Sequence, residues 1–311
     1  MALNTQWRWR DGVLTFYYGG YLVMMGGWNP NTGVFVPGPS TNEIWISSDD
    51  GLTWDYLGTA PWTPRHFCGV IVKGTTLYVW GGDPYIPAKD IWTYDLTQGV
   101  LNLAVGSNWT EQTSDWGSIG GDRILFCFWV YNDKIRMAGG QDGTVTPTMF
   151  TDVVELNETT WQWEAVGTLP ISYLSTAAAV KTGTDVYFYG GGRYLDSGHD
   201  NFNTNLYKST NGGNSFNLVG ALPTAFDGPM YPGGCSFGNK LWMLNGDGGG
   251  VSPGNKVGLW YFIPSVNEWV KYPDTPLSRH APGMCSDGAN KMFIISGNER
   301  NDVIKITKTT I

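Results

Sequence analysis

Six times along the 311-residue chain, a short apolar strand runs into a doublet of small residues. Residues 22–25 precede Gly26 and Gly27, 77–80 precede Gly81 and Gly82, and 135–138 precede Gly139 and Gly140. Residues 186–189 precede Gly190 and Gly191, 241–244 precede Asn245 and Gly246, and 292–295 precede Ser296 and Gly297. The second members of the doublets are thus spaced by 55, 58, 51, 55 and 51 residues. Such a unit is too short to bury its own apolar strand on both faces and must stack against copies of itself. A period near fifty with several strands per unit is the mark of a β-propeller. The expected fold is therefore all-β: a six-bladed β-propeller of four-stranded antiparallel blades, forming a single domain over 1–311.

Composition agrees. Charged residues make up 15% of the chain, against 43 Gly, 16 Trp and 16 Tyr, a balance suited to tight strand connections and flat inter-blade packing rather than to helices or disorder. The net charge of −8 argues against a nucleic-acid or anionic-membrane partner. No stretch approaches the roughly 20 apolar residues of a membrane-spanning helix. Residues 1–8 contain no apolar signal core, so synthesis in the cytoplasm without a secretory signal is expected. The four cysteines, Cys68, Cys127, Cys235 and Cys285, fall early in four different repeats without metal-type spacing, and are expected as buried free thiols.

A third strand follows each doublet and opens on Glu43-Ile44-Trp45, Asp90-Ile91-Trp92, Asp152-Val153-Val154, Asn205-Leu206-Tyr207, Gly258-Leu259-Trp260 or Asp302-Val303-Ile304. An aromatic often marks the approach to a fourth strand, as at Trp54, Trp161, Phe216 and Trp269. This succession resembles the kelch-repeat propellers over essentially the whole chain. The last repeat has room for a third strand but not a fourth, and Gln6-Trp7-Arg8-Trp9 precedes the first strand of the first repeat. The N-terminal segment is therefore expected to pair with the C-terminal blade. Closure of that kind removes exposed sheet edges. Locally, Ser47-Ser48-Asp49-Asp50-Gly51-Leu52-Thr53-Trp54 resembles an Asp-box, and 209–216 resembles a degenerate copy. That resemblance implies a structural turn between third and fourth strands, with the acid bonding backbone groups. The polar stretch 106–121, with Trp109 and Trp116, reads as an insertion packing on a neighbour.

Four of the eight arginines share one repeat position. Counting back 17 residues from the second doublet member gives Arg10, Arg65 and Arg123, and in the last repeat His280 with Arg279 beside it. The fourth and fifth repeats have Leu174 and Pro229 there. The kelch resemblance implies that Arg10, Arg65, Arg123 and Arg279 surround one opening of a central channel. Residues just beyond the doublets, Trp28, Asp83, Gln141, Arg193, Asp247 and Asn298, are expected on the same face. Guanidinium forks at such a mouth would suit a carboxylate ligand; the same resemblance equally allows arginines that bond blade carbonyls and lock the blades. The first and fourth repeats have the longest loops after their doublets, and Trp28 and Tyr194 lie there to stack on a sugar ring or a partner's side chain.

Three classes of function fit. The favoured one is a non-catalytic recognition propeller binding a glycan or an acidic protein segment at the arginine-lined mouth. A second is a sugar mutarotase resembling the kelch-type sialic-acid enzymes, in which His66, His280, Asp83 and Asp247 would move protons. The third is an attachment or structural subunit of a virion or other surface assembly, to which the low charge and abundant Gly and aromatics are suited. No cofactor or metal is implied, since no P-loop, nucleophile-elbow or HExxH pattern occurs.

Overall fold

The computed structural model describes residues 7–31, 34, 38–83, 88–144, 146–195, 198–248, 254–273 and 278–308. The fold is all-β, made of six antiparallel blades of the β-propeller type, and the described helices are three single 3₁₀ turns within 96–108. Among the described residues no helix is long and apolar enough to cross a membrane. The chain forms two compact units: Met1–Asp115 with Ala281–Ile311, and Trp116–His280.

The first unit holds blades one, two and six. Blade one consists of Leu14–Tyr18, Tyr21–Met25, Glu43–Ser47 and Asp55–Thr59, and blade two of Gly69–Lys73, Thr76–Trp80, Ile91–Asp95 and Trp109–Thr113. The predicted insertion in blade two is thus itself structural. Three 3₁₀ turns fill 96–108, and Trp109 opens the fourth strand with its indole donating to the Leu103 carbonyl at 2.7 Å. The second strand of blade one shows why this sequence selects stacked sheets. Val23 and Met25 point into a cluster with Leu77 and Val79 of blade two, while Leu22 and Met24 point into another with Phe293 and Ile295 of blade six. A strand buried on both faces needs an apolar run; five repeats supply it unbroken, and in blade three Arg136 interrupts it and is met by Glu155 and the Gly212 carbonyl.

Blade six has three strands among the described residues: Gly283–Ser286, Lys291–Ile295 and Val303–Thr307. The expected N-terminal attachment is present as docking, without a fourth strand among those residues. Gly297 N–H donates to the Arg10 carbonyl at 2.9 Å, Arg10 N–H to Ser296 Oγ at 3.1 Å, and Asn301 Nδ2 to the Trp7 carbonyl at 3.5 Å. Trp7 is buried edge-on against Trp54 (ring centroids 4.5 Å apart) and Trp45 (6.0 Å). The aromatic packing anchors the segment in this form.

The second unit holds blades three to five. Blade three comprises Cys127–Tyr131, Lys134–Ala138, Asp152–Asn157 and Gln162–Thr168; blade four comprises Ala178–Thr182, Asp185–Tyr189, Asn205–Ser209 and Asn217–Ala221. Blade five comprises Gly233–Phe237, Lys240–Leu244, Leu259–Ile263 and Glu268–Lys271. Trp116 is buried here, edge-on to Trp163 at 6.1 Å.

Two turns between third and fourth strands are built alike. In blade one, Ser47 Oγ donates to Asp49 Oδ1 and accepts from Gly51 N–H, both at 2.8 Å. Asp49 also accepts from Thr53 N–H at 2.8 Å and Thr53 Oγ1 at 2.6 Å. In blade four, Asn211 takes the place of the aspartate. Its Oδ1 accepts from Ser209 Oγ at 2.8 Å and Ser215 N–H at 3.1 Å, and its amide donates to Ser215 Oγ at 3.0 Å. Each turn also grips a neighbouring blade. Asp50 accepts from Lys291 and Lys305 of blade six at 2.7 and 3.3 Å. The Gly212 carbonyl accepts from Trp129 Nε1 and Arg136 Nη1 of blade three, both at 2.8 Å.

Candidate functional site

The repeat position two residues after each arginine carries a positive φ in every blade: Gly12 (57°), Phe67 (50°), Leu125 (59°), Thr176 (57°), Tyr231 (53°) and Ala281 (51°). Five of these are not glycine, and the left-handed region costs such residues about 1–2 kcal/mol each. Backbone bonds between successive blades hold them. In the first unit Phe67 N–H donates to the Gly12 carbonyl and Gly12 N–H to that of Ala281, both at 3.0 Å. In the second, Thr176 donates to Leu125 and Tyr231 to Thr176, again at 3.0 Å. The frame also resolves the last repeat: Arg279, not His280, lies two residues before Ala281 and is the counterpart of Arg10, Arg65 and Arg123.

All four arginines are buried, at 0–1% exposure. Arg10 donates to Glu43 Oε2 at 2.7 Å and to the Gly26 carbonyl at 3.3 Å. Arg65 forms a fork to Asp90, 2.5 and 2.7 Å, and reaches the Gly81 carbonyl at 3.1 Å. Arg123 donates to Asp152 Oδ2 at 3.0 Å and the Gly139 carbonyl at 3.2 Å, under Phe150. The scheme is the same each time: the guanidinium joins the first doublet carbonyl to the acid that opens the third strand of its own blade. The doublet permits this because its backbone runs close to a neighbour. Gly26 has φ +64°, and a Cβ there would lie 2.9 Å from the Arg65 carbonyl oxygen.

The residues beyond the doublets do meet the chain that follows the arginine position. Trp28 pairs with Asp11, Asp83 with His66, Gln141 with Ile124, and Asp247 with Met230. In blade four Gly192 fills that place opposite Ser175. Arg193 therefore falls one residue beyond its expected position and forks onto Asp200, 2.8 and 2.5 Å, across the hairpin Arg193–Leu195/Gly198–Asp200. Asn298 is half-buried in the turn after the blade-six doublet. His66 Nδ1 bonds the Asp83 carbonyl at 3.0 Å, and its ring lies 6.3 Å from Trp28 and 5.0 Å from Phe67.

One group of these residues assembles with others that the repeat arithmetic did not single out. In the second unit, Tyr231 lies between two imidazoles, its ring centroid 5.8 Å from His199 and 5.3 Å from His280. Tyr194 lies 5.2 Å from His199 and 6.4 Å from Tyr231. Gln141 holds the Tyr194 backbone at both ends, donating to its carbonyl at 2.9 Å and accepting from its N–H at 3.0 Å. His280 Nδ1 is 2.6 Å from Asn255 Oδ1 and 3.9 Å from Asp247 Oδ2. Asn255 Oδ1 can only accept, so this contact places a proton on His280 Nδ1. His199 Nδ1 is buried with no hydrogen-bond partner among the described residues. Burial depresses the His199 pKa and the neighbouring His280 adds to this, while Asp247 opposes it, so His199 is neutral at pH 7. All six side chains, Tyr194, His199, Tyr231, Asp247, Asn255 and His280, are partly exposed.

Tyr231, His199 and Asn255 carried no signal as single residues. Tyr231 was within reach of the repeat offset, because it lies two residues past Pro229. Asn255 sits opposite Asp247 as Ser40 does opposite Trp28 and Met149 opposite Gln141, but at a different distance from the doublet, so counting did not find it; His199 comes from the hairpin Arg193–Leu195/Gly198–Asp200.

The four cysteines are buried and outside any disulfide, as expected, and burial pushes the Cys127 thiol up to about 12, far from a reactive thiolate. Among the described residues no cluster of histidine, cysteine or carboxylate is arranged to hold a metal ion. In comparison with known proteins, the chain matches no protein-family model and no curated sequence.

Proposed function

We propose that this protein is a non-catalytic recognition propeller, with kelch-like repeats and Asp-box-like turns, that binds a glycan through the cluster in its second unit. The reading rests on the continuous run Tyr194–His199–Tyr231–His280 beside Asp247 and Asn255. Aromatic faces pack on the C–H faces of sugars, and a carboxylate, an amide and imidazoles bond hydroxyls. The doublet-adjacent positions Gln141 and Asp247 take part, the first by holding Tyr194 and the second within the cluster. Arg123 braces blade three of the same unit through Asp152 and the Gly139 carbonyl, while Arg10, Arg65, Trp28 and Asp83 lie in the other unit.

The test is a glycan array read alongside a thermal-shift panel of free sugars and acidic peptides. A ligand bound only by the folded chain at a hundredfold excess over its Kd adds about 2.7 kcal/mol of stability. Saccharides that bind the array and raise the melting temperature would support the reading. Binding of acidic peptides alone, or of no saccharide, would overturn it.

A further inference from the structure

Resting on the glycan reading above, we infer that the chain carries a second saccharide site in its first unit, where a pyranose ring stacks on Trp28 and meets the His66 imidazole at its edge. One niche is built twice, from the same repeat positions. In the second unit, His280 directly follows the arginine position. Its Nδ1 meets Asn255, the residue bridged to Asp247 beyond the blade-five doublet, at 2.6 Å. In the first unit, His66 directly follows Arg65. Its Nδ1 meets Ser40, the residue bridged to Trp28 beyond the blade-one doublet, at 3.4 Å. Each imidazole is also set against the doublet-adjacent residue of the repeat before it. His280 Nδ1 is 3.9 Å from Asp247 Oδ2, and the His66 ring centroid is 6.3 Å from that of Trp28. An aromatic in the left-handed position completes each group, Tyr231 at 5.3 Å from His280 and Phe67 at 5.0 Å from His66.

What differs is the side chain that faces the imidazole. An indole stands in the first unit where a carboxylate stands in the second, so stacking is the main attraction there. Trp28 and His66 are both partly exposed. The Trp28 backbone is fixed on two sides. It exchanges N–H···O bonds of 2.9 and 3.0 Å with Asp11 and is bridged to Ser40. The ring is therefore presented to a ligand with little left to order on binding. The Asp83 carbonyl, 3.0 Å from His66 Nδ1, can only accept, so this contact places a proton on Nδ1 and fixes the imidazole. Among the described residues, neither Trp28 Nε1 nor His66 Nε2 makes a hydrogen bond. A sugar ring has apolar C–H faces and a rim of hydroxyls. A held indole face with two ring nitrogens at its edge matches both. Tryptophan is also enriched among the few residues that carry most of the energy of an interface.

The experiment titrates the full chain with the methyl glycosides of glucose, galactose, mannose and N-acetylglucosamine and with sialic acid. It follows the Trp28 indole N–H resonance, assigned by its absence in Trp28→Phe, with a melting curve for every variant. At least one saccharide should shift that resonance saturably. Tyr194→Ala, which removes stacking in the second unit, should leave the Trp28 titration within about twofold of wild type. Adding Trp28→Ala to Tyr194→Ala should weaken the remaining saccharide binding at least about tenfold. His66→Ala should weaken the first-unit site about three- to tenfold, and it provides the test if Trp28→Ala does not fold. A Trp28 resonance that stays fixed while a saccharide binds in a manner lost on Tyr194→Ala would overturn this inference and leave the glycan reading intact. A Trp28 titration with no loss of binding in Tyr194→Ala would support this site and refute the second-unit reading. Binding of none of the saccharides would refute both.

Discussion

Glu43→Gln should destabilise the protein by about 3–5 kcal/mol, the usual cost of removing one partner from a buried ion pair. Arg10 and Glu43 are 1% and 0% exposed and 2.7 Å apart, so neither solvent nor salt can replace the missing charge. Burial already pulls the Arg10 pKa down and the Glu43 carboxylate opposes it; without that carboxylate a guanidinium is left in the core with carbonyl partners only. At about 2.1 cal/mol/K of unfolding entropy per residue, over 311 residues, the loss corresponds to a fall in melting temperature of about 5–8 °C. The assay is calorimetry on Glu43→Gln, Arg10→Met and the double variant Arg10→Met/Glu43→Leu. Replacing both members by apolar groups removes the uncompensated charge, so the double variant should lose far less than the sum of the single ones. Single variants within about 1 kcal/mol of wild type, or an additive double variant, would refute the assignment of these arginines as struts.

Other substitutions test the rest of the architecture. Trp7→Ala should cost about 3–5 kcal/mol, because Trp7 is buried against Trp45 and Trp54; an unchanged urea midpoint would show that the N-terminal segment does not hold blade six. Asp49→Asn should be nearly neutral, since Asn211 makes the equivalent turn in blade four, whereas Asp49→Ala should lose about 1 kcal/mol. Equal losses in the two variants would mean that the charge, not the hydrogen-bond pattern, matters. Burial lowers the His199 pKa, so the unfolded chain takes up a proton near pH 6.5 that the folded chain accepts only at lower pH. This residue's stabilising contribution is therefore present above about pH 6.5 and falls as pH drops toward the folded pKa. Urea titrations between about pH 7.5 and 5 should show a shallower fall for His199→Gln, and an identical slope would refute the assignment.

Much of this architecture was legible in the chain because it is written in a repeat. The strand pattern requires only that Val23 and Met25 face one neighbour while Leu22 and Met24 face the other, and alternation along a strand is a local property. The doublets were legible for a similar reason: a positive φ next to a close backbone approach leaves little room for anything but glycine, as at Gly26. The turn at Asp49 was readable because all its bonds lie within five residues. Even the arginine position could be found by counting. What counting could not determine was the direction of the guanidinium, which depends on an acid 33 residues away at Glu43 and 25 away at Asp90.

The candidate site was less legible. Asp247 and Tyr194 stood out by position, but His199 and Tyr231 meet only through a ring contact between segments far apart in the chain. The register after the blade-four doublet was equally hidden: the third glycine of Gly190–Gly192 shifts Arg193 by one residue, and its charge goes to Asp200 instead of the shared face. The sequence by itself determined which apolar strand residues are buried and how often the blade repeats, because alternation is set within each repeat by local spacing. Tertiary structure alone decided which polar groups satisfy one another inside the blades and which remain for a ligand, because electrostatic pairing depends on distances between segments far apart in the chain.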